Sequence, residues 1–298
     1  MSLHDFNQLW AIRPEAGEQL AVMFDQFLHS ASPEQVAAYM AKRTTANSPD
    51  PLPYDIQGDG VAVLSINGSL SKRPMYSMWT GETLGVGYGQ ILSGVQAAQN
   101  DPNVKSIILA WDSPGGTVDG AQEASDGLFA MRGGKPMESV AVGQMTSAAE
   151  MVGSAAGPVW ASSDTTDMGS IGVLAMHRDF SAMEEKFGIK TTLLTAGKYK
   201  GVGWGPLKAE DKAILQDGLD HSYQVFKQTV ARNRGISMDA VEKMAEGRVF
   251  KGQQAVQVGL ANGIATVQSR VAALSKRPAL ATNRAAYKAV AEQTTTHK

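Results

Sequence analysis

The chain contains no cysteine. Disulfides, zinc–thiolate centres and a cysteine nucleophile are thereby excluded, and the absence fits a reducing compartment. Neither sign of charge is in excess: 27 Lys and Arg stand against 29 Asp and Glu, a formal net charge of −2. No broad basic field is available to hold nucleic acid or an anionic membrane. Long apolar runs are also missing. The best candidate, Ser139 to Ser163, has Glu150 at its centre, abundant small residues and little Leu, Ile or Phe, so it reads as a buried strand and helix. Met1 to Lys42 carries Asp5, Arg13, Glu15, Glu18 and Asp25 with no uninterrupted apolar stretch, so no secretory signal is expected. The expected location is cytoplasmic, without a membrane anchor. No His-x-x-x-His or acidic cluster has metal-ligand spacing, and the glycine turns lack a phosphate-binding lysine. Neither metal nor cofactor is expected.

What is present suits a globular protein of one large domain plus an extra segment: 298 residues, 43% hydrophobic and 19% charged. Residues 1–43 read as a helical N-terminal arm, with Ser32, Pro33 and Gln35 as a helix start. Residues 44–57, Pro-rich from Thr44 to Pro53, read as a linker. Residues 58–276 form the main domain and 277–298 a flexible tail. Within the domain, strands are predicted at Val61–Ile66, Val104–Trp111, Ser139–Gly143, Ile171–Met176 and Lys190–Leu194. Helices are predicted at Gln90–Asn100, Val118–Met131, Ser147–Ala156, Phe180–Phe187, Ala209–Arg232, Ser237–Ala245 and Gln253–Leu260. Alternating strands and helices imply an α/β fold with parallel pairing. Gly85-Val86-Gly87-Tyr88-Gly89 reads as a mobile loop, and Lys72 to Gly89, with Met75, Tyr76, Met78 and Trp79, as the apolar rim of a substrate groove or a loop buried between copies.

The candidate chemistry lies where strands give way to helices, the usual place for sites in such sheets. Ser147 follows a strand among small residues. It is either a nucleophile, with the N–H of Ala148 donating to an oxyanion, or an ordinary helix N-cap. The Pro114-Gly115-Gly116 turn either aims the Gly116 N–H into a cavity as the second donor or is simply a turn that needs glycine. Lys200 in Gly197-Lys198-Tyr199-Lys200 has Tyr199, Val202 and Trp204 as apolar neighbours that could keep its amine neutral and basic. Lys198 competes for that role, and a surface lysine is the plain alternative. His177 and His221 are the histidines inside the main body that a Ser–His–Asp triad could use.

Taken in order, the motifs resemble the signal peptide peptidase A family of serine–lysine proteases, peptidase family S49. They are Asp112-Ser113-Pro114-Gly115-Gly116, Thr146-Ser147-Ala148-Ala149, Gly169-Ser170-Ile171-Gly172-Val173, Ala196-Gly197-Lys198-Tyr199-Lys200, and Gly247-Arg248-Val249-Phe250-Lys251-Gly252-Gln253-Gln254-Ala255 completed by Gly259-Leu260. The resemblance runs from about Gly60 to Val267. It implies a ClpP/crotonase-like fold of repeated ββα units. It also implies a catalytic Ser147–Lys200 dyad, an oxyanion hole from the Gly116 and Ala148 N–H groups, and Ser170 as the candidate that orients Lys200. The implied partners are a polypeptide substrate and further copies of the chain, with active sites shared between protomers. Two departures blur the pocket: Ala148-Ala149 then Glu150 follow the serine where the family usually has Gly-Gly or Ala-Gly, and Gly201-Val202-Gly203 follows the lysine where it usually has an aspartate. Leu9-Trp10-Ala11-Ile12-Arg13-Pro14-Glu15 looks like the start of the phage capsid assembly (head maturation) proteases of the same superfamily. That branch implies processing of scaffold and capsid proteins in host cytoplasm or the assembling procapsid. A peptide-clearing cytosolic peptidase is the alternative within the family. Outside it stand a crotonase-type acyl-CoA enzyme using Glu150 and a non-catalytic ring scaffold.

Overall fold

The computed structural model describes residues 10–13, 16, 19, 22, 26, 30, 32, 34, 35, 51–76 and 83–276. In chain order the described elements begin with β1 (Trp10–Ile12), β2 (Tyr54–Gln57), β3 (Val61–Asn67), β4 (Ser69–Ser71), β5 (Met75–Tyr76), β6 (Thr83–Gly87) and α1 (Tyr88–Asn100). The centre of the fold follows as β7 (Ser106–Ser113), β8 (Gly115–Thr117), α2 (Ala121–Ala130), β9 (Met137–Thr146), α3 (Ala148–Gly153), β10 (Val159–Ala161) and β11 (Asp167–Gly169). Beyond it lie α4 (Ser181–Lys186), α5 (Ala209–Arg234), α6 (Met238–Glu242), β12 (Val249–Lys251), α7 (Gly252–Val258), β13 (Gly263–Ile264) and α8 (Val267–Ser275).

The near-continuous apolar runs of β3 and β7 demand cover on both faces, as parallel strands usually do. They receive it. β3, β7, β9 and β11 pair in parallel, with antiparallel β2 and β12 at the two ends. One face (Leu64, Ile66, Ile107, Leu109, Trp111, Ala141) packs into the large core with Ile91, Val95, Leu128 and Val152 of α1, α2 and α3. The other (Val61, Val63, Ile108, Ala110, Val140) is closed by Val271 and Leu274 of α8. Trp111, fully buried, donates to the Ser139 hydroxyl at 3.0 Å, which donates in turn to the Gly153 carbonyl at 2.7 Å. This chain of bonds ties α3 to the sheet beneath it.

A second, smaller sheet runs β1-β8-β4-β6-β5. Its strands follow directly on the large sheet's, β4 after β3 and β8 after β7, and α1 and α2 close the units. This is the expected ββα repeat. The sheet also corrects two readings. Thr83–Gly87 is a strand paired with β4 and β5, not a mobile loop. Gly115–Thr117 is likewise a strand, with β4 on one side and β1 on the other.

Other expectations shift for identifiable reasons. Ile171–Met176 and Lys190–Leu194 are not strands: the place beside β9 belongs to Asp167–Gly169, and residues 190–200 are exposed with no sheet partner. Residues 54–57, assigned to the linker, form β2 against β3. Trp10–Ile12, assigned to a helical arm, is strand β1. Within that arm the helix start does form, the Ser32 and Gln35 side chains each accepting the other's backbone N–H at 3.3 and 2.8 Å respectively. Residues 77–82 of the expected rim and the tail at 277–298 lie outside the described residues.

Candidate active site

Ser147 links β9 to α3 and is almost wholly buried. Its backbone, at φ 58 and ψ −123, is a conformation that residues with a Cβ seldom adopt. Such strain, worth about 1–3 kcal/mol, persists only where the surroundings impose it. Here Ser147 N–H donates to the Gly169 carbonyl at 2.7 Å, and the Ser147 carbonyl accepts from Met151 at 3.0 Å. Its hydroxyl makes no capping bond to the helix it precedes. The N-cap reading therefore does not account for a serine at this position.

Ser170 ends the neighbouring strand in the same way. It is buried at φ 53, one residue beyond the Gly169 that holds Ser147, and its own N–H donates to the Arg248 carbonyl at 2.6 Å. The register sets Gly169 beside Thr146. Ser147 and Ser170 thus leave adjacent parallel strands at the same end.

Gly116 belongs to the small sheet, in strand β8. An added Cβ would sit 1.7 Å from the Leu70 carbonyl oxygen, so no side chain fits. Tyr88 O–H anchors the following residue through the Thr117 carbonyl at 2.7 Å. Strand β8 touches α3. Ala148, as the first residue of α3, has no intrahelical acceptor for its N–H.

The candidate bases are placed differently. Lys200 lies in the exposed stretch 190–200, and among the described residues its ammonium has no hydrogen-bond or ion-pair partner. Ser147 is buried, and no hydrogen bond joins the two in this single chain. Lys198 is engaged: it pairs with Glu210 at 2.7 Å and donates to the Tyr199 hydroxyl, and both raise its pKa. A lysine held charged in this way is a poor base. His177 faces the Gly205 carbonyl at 2.9 Å, and His221 is exposed on α5. The chain segment that carries Lys200 exposes several large apolar side chains, with Phe187 75% and Leu194 90% exposed, and Tyr199 and Trp204 exposed as well.

Glu150, the acid/base group that an acyl-CoA enzyme would need, is fully buried, and neither of its carboxyl oxygens has a hydrogen-bond partner. Burial pushes its pKa from 4.5 up to about 8, against smaller opposing pulls from Arg234 and from the nearby Gly169 backbone N–H, which stands outside good hydrogen-bond geometry. The folded pKa lies above the unfolded one. This group's contribution to stability is therefore full below about 4.5 and is lost as the pH rises through about 8. Glu150→Gln should accordingly gain on the wild type as pH rises, by on the order of several kcal/mol at pH 9. Thermal melts at pH 6 and pH 9 check this, and a gap that does not widen with pH would show that the carboxyl ionises normally.

Two supports of this site carried no signal in the sequence. Arg132 donates to the Ser154 carbonyl at 2.7 Å, the Ala155 carbonyl at 2.6 Å and the Asn233 carbonyl at 2.8 Å. The Asn233 amide donates to the Met151 carbonyl at 3.0 Å and to the Ser125 and Ser154 hydroxyls at 2.9 and 3.1 Å. Together they supply donors to the Ser154 and Ala155 carbonyls just beyond α3 and add a second donor to the Met151 carbonyl, which the Ser125 hydroxyl also reaches at 2.9 Å. Neither residue falls in a motif, and periodicity marks only apolar faces.

The family model for peptidase family S49 matches residues 130–281. The chain is 34% identical over 207 residues to capsid assembly protease C of Escherichia phage lambda, covering 68% of this chain and 46% of that protein. It is 30% identical over 224 residues to the head-tail preconnector protein GP5 of Enterobacteria phage P21, covering 73% of this chain and 43% of that one. The chain thus spans less than half the length of these two curated relatives. A solved structure, that of a ClpP1 mutant from Listeria monocytogenes, aligns with a TM-score of 0.41 and 13% identity over 70% of this chain and 94% of its own. Among the described residues no helix is long and apolar enough to cross a membrane.

Proposed function

Since the chain belongs to peptidase family S49, we propose that it is a serine endopeptidase whose nucleophile is Ser147 and whose general base is Lys200. The observation that carries the reading is Ser147 itself: a strained, buried serine whose hydroxyl caps no helix, at the head of a helix that touches the glycine strand β8. Lys200 as a neutral amine accepts the hydroxyl proton while Ser147 Oγ attacks the peptide carbonyl. The N–H groups of Gly116 and Ala148 take up the charge on the carbonyl oxygen. The proton passes to the leaving amine, and water then releases the acyl group. Ser170, beside Ser147, is the group that orients the lysine.

A lysine serves as base only with its amine desolvated and neutral. The exposed apolar side chains of the Lys200 segment, Phe187, Leu194, Tyr199 and Trp204, support cover by a second copy of the chain, with serine and lysine drawn from different protomers. The names of the phage relatives support scaffold and capsid polypeptides as substrates, processed in host cytoplasm or the assembling procapsid. The test is complementation, with unfolded casein as the probe. Ser147→Ala and Lys200→Ala should each be inactive, whereas an equimolar mixture should regain about a quarter of wild-type activity, the random-assembly share of sites with both groups intact. No recovery would place the dyad within one protomer. Full activity of Lys200→Ala alone would remove it as the base.

A further inference from the structure

β1 pairs antiparallel with β8, with Trp10 opposite Thr117, Ala11 opposite Gly116 and Ile12 opposite Gly115. Immediately beyond, the Arg13 N–H donates to the Pro114 carbonyl at 3.0 Å. Hydrogen-bonded pairs alternate along an antiparallel ladder, so the next such pair is Ala11 with Gly116. The Gly116 N–H therefore points at the Ala11 carbonyl, while the Thr117 amide points the other way, towards β4, and the Gly115 N–H donates to the Ser113 hydroxyl at 3.3 Å. Arg13, Ala16 and Gln19 line a cleft of about 570 Å³ together with Asn67, Asp112 and Gln144, which stand at the ends of β3, β7 and β9. Two contacts hold the strand there: Ile12 is buried, and Arg13 pairs with Asp167 at 2.9 Å.

We infer that Trp10–Ile12 is a built-in occupant of the substrate edge: it lies in the direction and register of an extended polypeptide and presents its Ala11 carbonyl to the Gly116 N–H. This rests on the reading of Gly116 as an oxyanion donor. An outside polypeptide must displace the segment before it can pair with β8, and the residue it sets opposite Gly116 should be small, as Ala11 is. The arm thereby acts as a competitor that keeps an unassembled chain from cutting its surroundings. The apparent affinity for an outside chain is reduced to the fraction of molecules in which the strand is undocked.

The experiment uses full-length protein carrying Ser147→Ala, which removes turnover from the readout, with and without Ile12→Glu. The probe is a fluorescein-labelled synthetic peptide with the sequence of residues 7–15. The peptide should bind the Ile12→Glu protein at least about 10-fold more tightly, by anisotropy, which corresponds to a docked fraction of about nine-tenths or more in its parent. By NMR-detected hydrogen exchange, the Gly116 amide should lose protection in Ile12→Glu and regain it with peptide, while the Thr117 amide stays protected. Equal affinities, an unchanged Gly116 amide, or loss of protection at both amides would each overturn the inference. The last would show that β1 merely props up the small sheet. Arg13→Glu, which removes a partly exposed contact, provides a milder variant with the same expected direction should Ile12→Glu fail to fold. Because no arm depends on catalysis, failure here is distinct from failure of the dyad, which the casein assay reports.

Discussion

Ser147→Ala should lower kcat for casein cleavage by roughly 10⁴–10⁶-fold, the range seen when a hydrolase loses its nucleophile but keeps its oxyanion donors. The fold should hardly notice. The hydroxyl makes no cap bond, so deleting it costs no hydrogen bond to the helix, and a change within about 0.5 kcal/mol is expected. Ser147→Gly should go further and stabilise the protein by about 1 kcal/mol, because glycine accepts φ 58 without strain. Activity falling while stability holds or rises is the signature of a residue kept for chemistry at a cost in stability. Steady-state kinetics beside urea unfolding measures both. Loss of activity below about tenfold in Ser147→Ala would move the nucleophile elsewhere.

Arg270→Ala should destabilise the protein by about 3–5 kcal/mol, a large part of the roughly 5–15 kcal/mol that holds a domain together. The Glu138 carboxylate, its side chain 2% exposed, accepts from Arg270 Nε at 2.7 Å, Arg270 Nη2 at 2.9 Å and Trp160 Nε1 at 2.9 Å. The guanidinium lies 4.2 Å from the centre of the Trp160 ring. This cluster fastens α8 over the back of the large sheet, where Val271 and Leu274 close the second core. Removing the arginine leaves a buried charge with a single indole donor and loosens that cover. The melting temperature should fall by on the order of 10 °C. The pair need not be strongly stabilising in itself: replacing both partners with leucine should recover much of the loss, since no charge is then left behind. If Arg270→Ala costs less than about 1 kcal/mol, water reaches Glu138 and the burial argument fails.

Much of this architecture was legible because it is local. The apolar runs at 61–66 and 104–111 and the spacing along 209–232 each occupy one element, and each forms close to its expected limits. The misreadings share a cause. Ile171–Met176 and Lys190–Leu194 have strand-like composition, but composition cannot say whether a neighbouring strand is free to pair. Trp10–Ile12, at 3 residues, is too short to show a period, and its partner lies about a hundred positions on, at 115–117. Gly115–Thr117 looks like a turn, since glycines mark turns and close backbone approaches alike.

The sequence by itself determined the alternation of strands and helices, the absence of thiol chemistry, and the strand-to-helix junction at which Ser147 stands. Those follow from side-chain period, composition and the backbone freedom of glycine, all properties of neighbouring residues. Only the tertiary structure decided the rest: the strain at Ser147, the burial of Glu150, the exposure of Lys200, and the clasp of Arg132 and Asn233 on α3. It alone set the Ala11 carbonyl against the Gly116 amide. These depend on which distant segments meet, and burial and hydrogen-bond direction exist only once they have met.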